Sequence, residues 1–113
     1  MTGIGIDIVE FSRLDAIKNI AAFIHKVLST DEQTLYENVE HEKRKKEFLA
    51  GRFALKEAIY KANNDFCKDK NYADFSILID DAGAPYVAKP SGINCKLTLS
   101  HSENYVVAMA IFL

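Results

Sequence analysis

The stretch Phe48-Leu-Ala-Gly-Arg-Phe-Ala-Leu-Lys-Glu-Ala-Ile-Tyr-Lys-Ala-Asn63 constrains this chain more than any other. It is rich in Ala, Leu, Lys and Glu and holds no proline, so it predicts a helix. Leu55, Ala58, Ile59 and Ala62 recur at three- and four-residue steps and form one apolar stripe. Glu57 does not stand on a purely polar face. Phe53 and Ala54 lie one turn before it and Lys61 one turn after, which sets a carboxylate beside apolar surface with an ammonium stacked over it. Such a pair is either a solvated ion pair or part of a site.

Thr2–Val9 predicts a strand. Ile4, Ile6 and Ile8 share one face, and Gly3, Gly5 and Asp7 share the other. The glycines leave room for another backbone or a ligand. Asp7, at the end of that bare face, either caps the strand or serves a site. Ser12–Leu28 predicts a second helix, with Ser12 as N-cap, Asp15 in its first turn and Leu14, Ile17, Ile20, Ala21, Ile24 and Leu28 as its apolar stripe. Arg13 stands near the start of that helix, where the helix dipole disfavours a cation. Ser29-Thr30-Asp31-Glu32 has the form of a capping box and predicts a short helix through Tyr36 or Val39. Glu40–Lys46 ends in Lys43-Arg44-Lys45-Lys46 and leads into the central helix, as a solvated face or as an anion site.

Asn64–Tyr72 is polar and predicts an exposed connection. The remainder predicts antiparallel sheet. Phe75, Ile77 and Ile79 alternate with Ser76, Leu78 and Asp80, and Asp80–Pro85 carries turn residues before Tyr86–Lys89 resumes a strand. After a break at Pro90-Ser91-Gly92, Ile93–Leu99 gives a further strand. Tyr105–Leu113 is apolar throughout, the pattern of a strand covered on both faces. So small a domain has little to cover it with, and a second subunit is expected to supply the cover. The expected fold class is α+β: residues 1–113 as a single domain, a small antiparallel sheet packed with one long central helix and additional helices.

A net charge of −2 gives no general signal for nucleic acid or a membrane surface. No stretch is long and apolar enough to span a bilayer, and no secretory leader pattern is expected. Cys67 and Cys95 are far apart and outside any metal spacing, so free thiols in a reducing cytoplasm are expected. No phosphate-binding loop, dinucleotide fingerprint or nucleophile elbow occurs. Ser100 and Ser102 flank His101, but neighbours on an extended chain point to opposite faces, which argues against a Ser–His nucleophile pair from them. His25, His41 and His101 lack zinc spacing. What remains is Asp7, Glu57, Lys61 and His101. Two carboxylates suit magnesium that keeps waters and substrate phosphates as its other ligands. Lysine suits phosphate, and histidine can bind phosphate or move a proton. The set suits transfer chemistry on a pyrophosphate, where positioning and charge neutralisation dominate.

Gly3-Ile-Gly-Ile-Asp7-Ile-Val-Glu10 followed by Arg13 resembles the opening of the holo-[acyl-carrier-protein] synthases, the small bacterial-type 4′-phosphopantetheinyl transferases. Phe48–Ala58 with Lys61-Ala62 is similar to the family's central helix. Gly83-Ala-Pro-Tyr86 and Leu99-Ser-His-Ser102 with Tyr105 resemble its C-terminal blocks, in the same order. The resemblance covers nearly the whole chain. It implies transfer of 4′-phosphopantetheine from coenzyme A to a serine of apo acyl carrier protein, releasing adenosine 3′,5′-bisphosphate, as in fatty-acid biosynthesis.

By that resemblance Asp7 and Glu57 are the Mg2+ ligands and Lys61 is a phosphate contact. Gly83, Pro85, Ser100, His101 and Ser102 belong to the coenzyme A pocket, and Arg13 contacts the acidic carrier protein. A cytoplasmic homotrimer with its sites between subunits is implied. There Lys43–Lys46 and Arg52 would reach the coenzyme's 3′-phosphate or the carrier protein. The attacking hydroxyl belongs to the carrier, so the enzyme needs no nucleophile. Glu57, Asp7 through a coordinated water, or His101 would take its proton. Two departures stand out. Asn63–Cys67 lacks the family's glycine-rich turn, although asparagine can stop a helix in a left-handed conformation, and Ala84 replaces a frequent lysine. A catalytically inactive relative that only binds carrier protein is the alternative, and a plain α+β interaction domain a third.

Overall fold

In the computed structural model, which describes residues 2–113, helix α4 (Glu42–Ala62) runs through the middle of the molecule. The predicted stripe of Leu55, Ala58, Ile59 and Ala62 is buried, but so are Leu49, Ala50 and Ala54 on other faces. The charged run Glu42–Lys46 forms its first turns and is largely exposed.

Strand β1 (Gly3–Glu10) lies directly on this helix. A Cβ at Gly5 would stand 2.0 Å from the carbonyl oxygen of Ala58, and one at Gly3 would stand 1.9 Å from that of Ala62. Only glycine permits so close an approach. The room that these glycines leave is therefore taken by the backbone of α4. Strands β4 (Cys95–His101) and β5 (Tyr105–Phe112) complete an antiparallel sheet of order β1-β5-β4. Val106, Ala108, Ala110 and Phe112 of β5 are buried on the helix side.

Register pairs Ile4 with Ile111, Ile6 with Met109 and Ile8 with Val107, so these six side chains share the opposite face. That face is open: Ile4, Ile6 and Ile8 are 65%, 54% and 55% exposed. The chain itself thus covers β5 on one face only, where the sequence pattern calls for cover on both.

A separate hairpin of β2 (Ser76–Ile79) and β3 (Pro85–Lys89) matches the predicted strand–turn–strand. Its fastening to α4 is ionic. Lys56 is fully buried and donates from Nζ to Val27 O at 2.6 Å, to Phe75 O at 2.8 Å and to the buried Glu32 carboxylate. Glu32 also accepts from the backbone N–H groups of Ser29 and Ile77, at 2.9 and 3.0 Å. A buried charge persists only when paired and hydrogen-bonded in this way. Burial pulls the Lys56 ammonium below the ordinary lysine range, and Glu32 opposes that shift.

Three local readings change. The predicted helix Ser12–Leu28 is two helices, α1 (Ser12–Asp15) and α2 (Ile20–Val27). Asn19 causes the break, its side chain accepting from the backbone N–H of Ala22 at 3.1 Å as an N-cap. Ser12 caps nothing, because α1 starts from Phe11, and Asp15 pairs with Lys46 at 2.5 Å instead. The capping box at Ser29 and Glu32 does form, at the head of α3 (Thr30–Glu37). Finally, Asn64–Tyr72 is not irregular throughout. Asn63 has φ −153°, outside the left-handed region, and its side chain caps the one-turn helix α5 (Asn64–Cys67). A 3-10 turn, Tyr72–Asp74, follows. Cys67 and Cys95 are free and buried, and burial pushes both thiols up to about 11.

Candidate active site

The antiparallel crossing of β1 over α4 determines which residues meet. Gly3 lies against Ala62, and Gly5 against Ala58 and the Lys61 side chain, so Asp7, two residues further along β1, comes within reach of Lys61. Helical side chains lean toward the helix N-terminus. Lys61 accordingly reaches back to Asp7, with Nζ 3.0 Å from Oδ1 and 3.1 Å from Ile6 O. Asp7 is 15% exposed and Lys61 54% exposed, so the ammonium stays open to solvent while the carboxylate is largely covered.

Glu57 does not pair with Lys61, its helical neighbour. Its Oε1 accepts a 2.5 Å hydrogen bond from the Tyr72 hydroxyl. Burial holds this phenol well above the ordinary tyrosine range. The bond to Glu57 and the charges of Glu57, Tyr60 and Asp7 add to the shift, so the phenol remains a neutral donor to Glu57. Tyr72 was not legible as a site residue: a single aromatic in a polar connection carries no spacing signal.

Two carboxylates make a hard, oxygen-only donor set. Among the described residues no group of three His, Cys, Asp or Glu could hold a metal. The set therefore does not suit a closed structural zinc centre. It does fit a cation such as Mg2+ that draws its remaining ligands from water and phosphate.

The other predicted residues lie elsewhere. Ser100 and His101 are on β4, the opposite edge of the sheet from β1. Ser100 shares a row with Val107 and Ile8 on the open apolar face, and His101 shares one with Val106 and Val9. Strand β5 stands between, so this block is about 10 Å from Asp7, two inter-strand spacings away. Ser102 turns the hairpin, its N–H donating to Tyr105 O at 2.9 Å. Gly83, at φ +88°, and Pro85 sit at the tip of the β2–β3 hairpin. There Asp80 Oδ1 accepts from the N–H groups of Ala82 and Ala84, both at 2.9 Å. One chain thus pairs Asp7 with Lys61, ties Glu57 to Tyr72, and leaves the predicted coenzyme block apart.

Arg52 must be corrected. It is 7% exposed, donates through Nε and Nη2 to Ile77 O at 3.2 and 2.9 Å, and lies 3.5 Å from Glu32. It fastens the hairpin and offers nothing to an anion at the surface. Lys45 and Lys46 are engaged as well, with Tyr36 O and Asp15, which leaves Lys43 and Arg44 of the basic run. Arg13 is exposed, its guanidinium 5.9 Å from the centre of the Phe53 ring. Beside it Val9, Leu14, Ile17, Phe23 and Phe53 line an apolar groove of about 320 Å3.

A family model of the 4′-phosphopantetheinyl transferase superfamily matches residues 3–110, and the chain belongs to that superfamily. Its relatives specify the branch. The holo-[acyl-carrier-protein] synthase of Acholeplasma laidlawii is 42% identical over 96% of this chain and 92% of its own length. That of Staphylococcus carnosus is 37% identical over 96% and 94%. The crystal structure of the Bacillus anthracis synthase in complex with CoA (3′,5′-ADP) superposes with a TM-score of 0.84 at 32% identity, covering 97% of this chain and 94% of that one. The α+β architecture matches that of this solved relative. Among the described residues, no helix is long and apolar enough to cross a membrane.

Proposed function

We propose that this chain transfers the 4′-phosphopantetheine group of coenzyme A to a serine of an apo acyl carrier protein, with Mg2+, releasing adenosine 3′,5′-bisphosphate. The observation that carries this reading is the Asp7–Lys61 ion pair at the crossing of β1 and α4, one helical turn from Glu57, on a fold shared with holo-[acyl-carrier-protein] synthases. The serine oxygen bonds to the phosphorus that bears the pantetheine arm. The P–O bond to the adenosine-side phosphate breaks, and its electron pair leaves with the bisphosphate. Glu57, Asp7 through a water, or His101 would take the serine proton. No enzyme nucleophile is required.

Asp7 and Glu57 would hold Mg2+, whose charge neutralises the pyrophosphate. Lys61, exposed and on a flexible stem, would turn from Asp7 to a phosphate oxygen. His101, Ser100, Ser102, Gly83 and Pro85 would line the coenzyme pocket from a neighbouring copy. Two observations support such a homotrimer: the distance between the β4 block and Asp7 within one chain, and the open apolar face of Ile4, Ile6 and Ile8. Lys43 and Arg44 would serve the 3′-phosphate. Arg13, beside its apolar groove, would receive the acidic, amphipathic surface of the carrier. The buried free thiols accord with a cytoplasmic setting as one domain over residues 1–113.

The test is Glu57→Gln, which keeps the size of the side chain and removes its charge. Transfer is expected to fall about 100-fold or more, with trimer and carrier binding intact. Unchanged transfer would contradict the assignment. An inactive wild type that still binds carrier protein would favour the binding-module reading.

A further inference from the structure

Tyr72 has no part in the motif that brings the chain to this family, yet it touches the proposed cation ligand Glu57 directly. Its ring is held on two sides. Phe53 stands edge-on at 6.0 Å and 88°, and Tyr60 at 4.8 Å and 62°. The 3-10 turn that carries Tyr72 is closed by reciprocal bonds: Asn71 N–H donates to Asp74 Oδ2 at 2.8 Å, and Asp74 N–H to Asn71 O at 3.0 Å. Immediately after the turn, Phe75 O accepts from buried Lys56. Three residues of a single stretch of α4 therefore grip this turn: Lys56 by its ammonium, Glu57 by its carboxylate and Tyr60 by its ring. Such over-determination exceeds what an ordinary surface connection needs. Its product is one hydroxyl aimed at one carboxylate oxygen, Oε1, while Oε2 makes no hydrogen bond among the described residues.

We infer that Tyr72 is a positioning residue: it fixes the orientation of the Glu57 carboxylate so that Oε2 is presented to the cation. Partners that orient a metal-binding side chain typically contribute 10- to 100-fold in metal affinity or activity. The inference rests on the reading of Asp7 and Glu57 as the cation pair. The test removes the hydroxyl alone, with Tyr72→Phe. Binding of Mn2+ to the protein in the presence of coenzyme A is followed by the loss of free-ion electron paramagnetic resonance signal, without turnover. Tyr72→Phe is expected to weaken Mn2+ binding about tenfold and to raise the apparent KM for metal in parallel. Its coenzyme A binding without metal stays near the wild-type value.

Tyr60→Phe is the control. It removes a neighbouring hydroxyl from the same aromatic cluster without touching Glu57, and Mn2+ binding is expected to be unchanged. Equal Mn2+ binding by wild type and Tyr72→Phe would overturn the inference, as would an equal loss in Tyr60→Phe. A wild type that binds no Mn2+ with coenzyme A would overturn the cation reading itself, and this inference with it.

Discussion

Lys61 stands where a counterion for Asp7 is needed, and its ammonium is held there by only two bonds, to Asp7 Oδ1 and Ile6 O. A divalent cation approaching Asp7 must compete with it. Lys61→Met is therefore expected to raise Mn2+ affinity of the free protein roughly threefold or more, and to weaken coenzyme A binding about tenfold, as loss of a charge-assisted phosphate contact requires. Titration calorimetry of each ligand separates the two effects. Weaker metal binding without coenzyme A would contradict the competition. At this scale the sequence was partly legible. Asp7 and Glu57 stood out as carboxylates beside apolar or bare surface, and Lys61 by its helical spacing from Glu57. That Lys61 would turn to Asp7, and Tyr72 to Glu57, follows from the crossing of a strand and a helix far apart in sequence, which no spacing encodes. Arg52 was misread for a related reason. An arginine in a helix reads as exposed until a distant carbonyl, that of Ile77, and a distant carboxylate, that of Glu32, are seen to enclose it.

Among the elements, α4 was the most legible because its propensity and its apolar stripe agree over many residues. The break between α1 and α2 was missed because the stripe continues across it, while Asn19 caps a new helix. The burial of Lys56 left no trace in the sequence. Removing one partner of a buried ion pair strands the other, so Lys56→Met is expected to cost about 3 kcal/mol or more, read by urea denaturation. A loss under ~1 kcal/mol would show that Arg52 and the backbone donors satisfy Glu32 alone. Gly5→Ala acts on the strand–helix contact. Its methyl would stand 2.0 Å from Ala58 O, so β1 must move off α4. A loss of about 1–3 kcal/mol is expected. Coenzyme A affinity should fall with it, because Asp7 moves with the strand. An Ala variant as stable as wild type would contradict the close approach.

For the whole molecule, burial raises Tyr60 to about 12 and Cys67 and Cys95 to about 11, all above their ordinary values. Groups that bind their protons more tightly when folded contribute stability that is complete below the unfolded value and lost as pH rises through the folded one. The melting temperature is therefore expected to hold up to about pH 9, where an unfolded thiol ionises, and then to fall through the pH 11–12 region. A melting temperature that rises over that range would contradict the burial of these groups. The open sheet face makes a second claim at this scale. Ile6→Glu, paired in register with Met109, should convert a trimer to monomers in sedimentation and abolish transfer while far-ultraviolet dichroism is kept. An active monomer would contradict the shared site.

The most direct measurement is intact-mass spectrometry of an apo acyl carrier protein incubated with this protein, coenzyme A and Mg2+, with and without a chelator. The predicted result is a phosphopantetheine mass gain on the carrier that disappears with chelator. A correctly folded trimer that leaves several carrier proteins unmodified, or a gain indifferent to chelator, would contradict it.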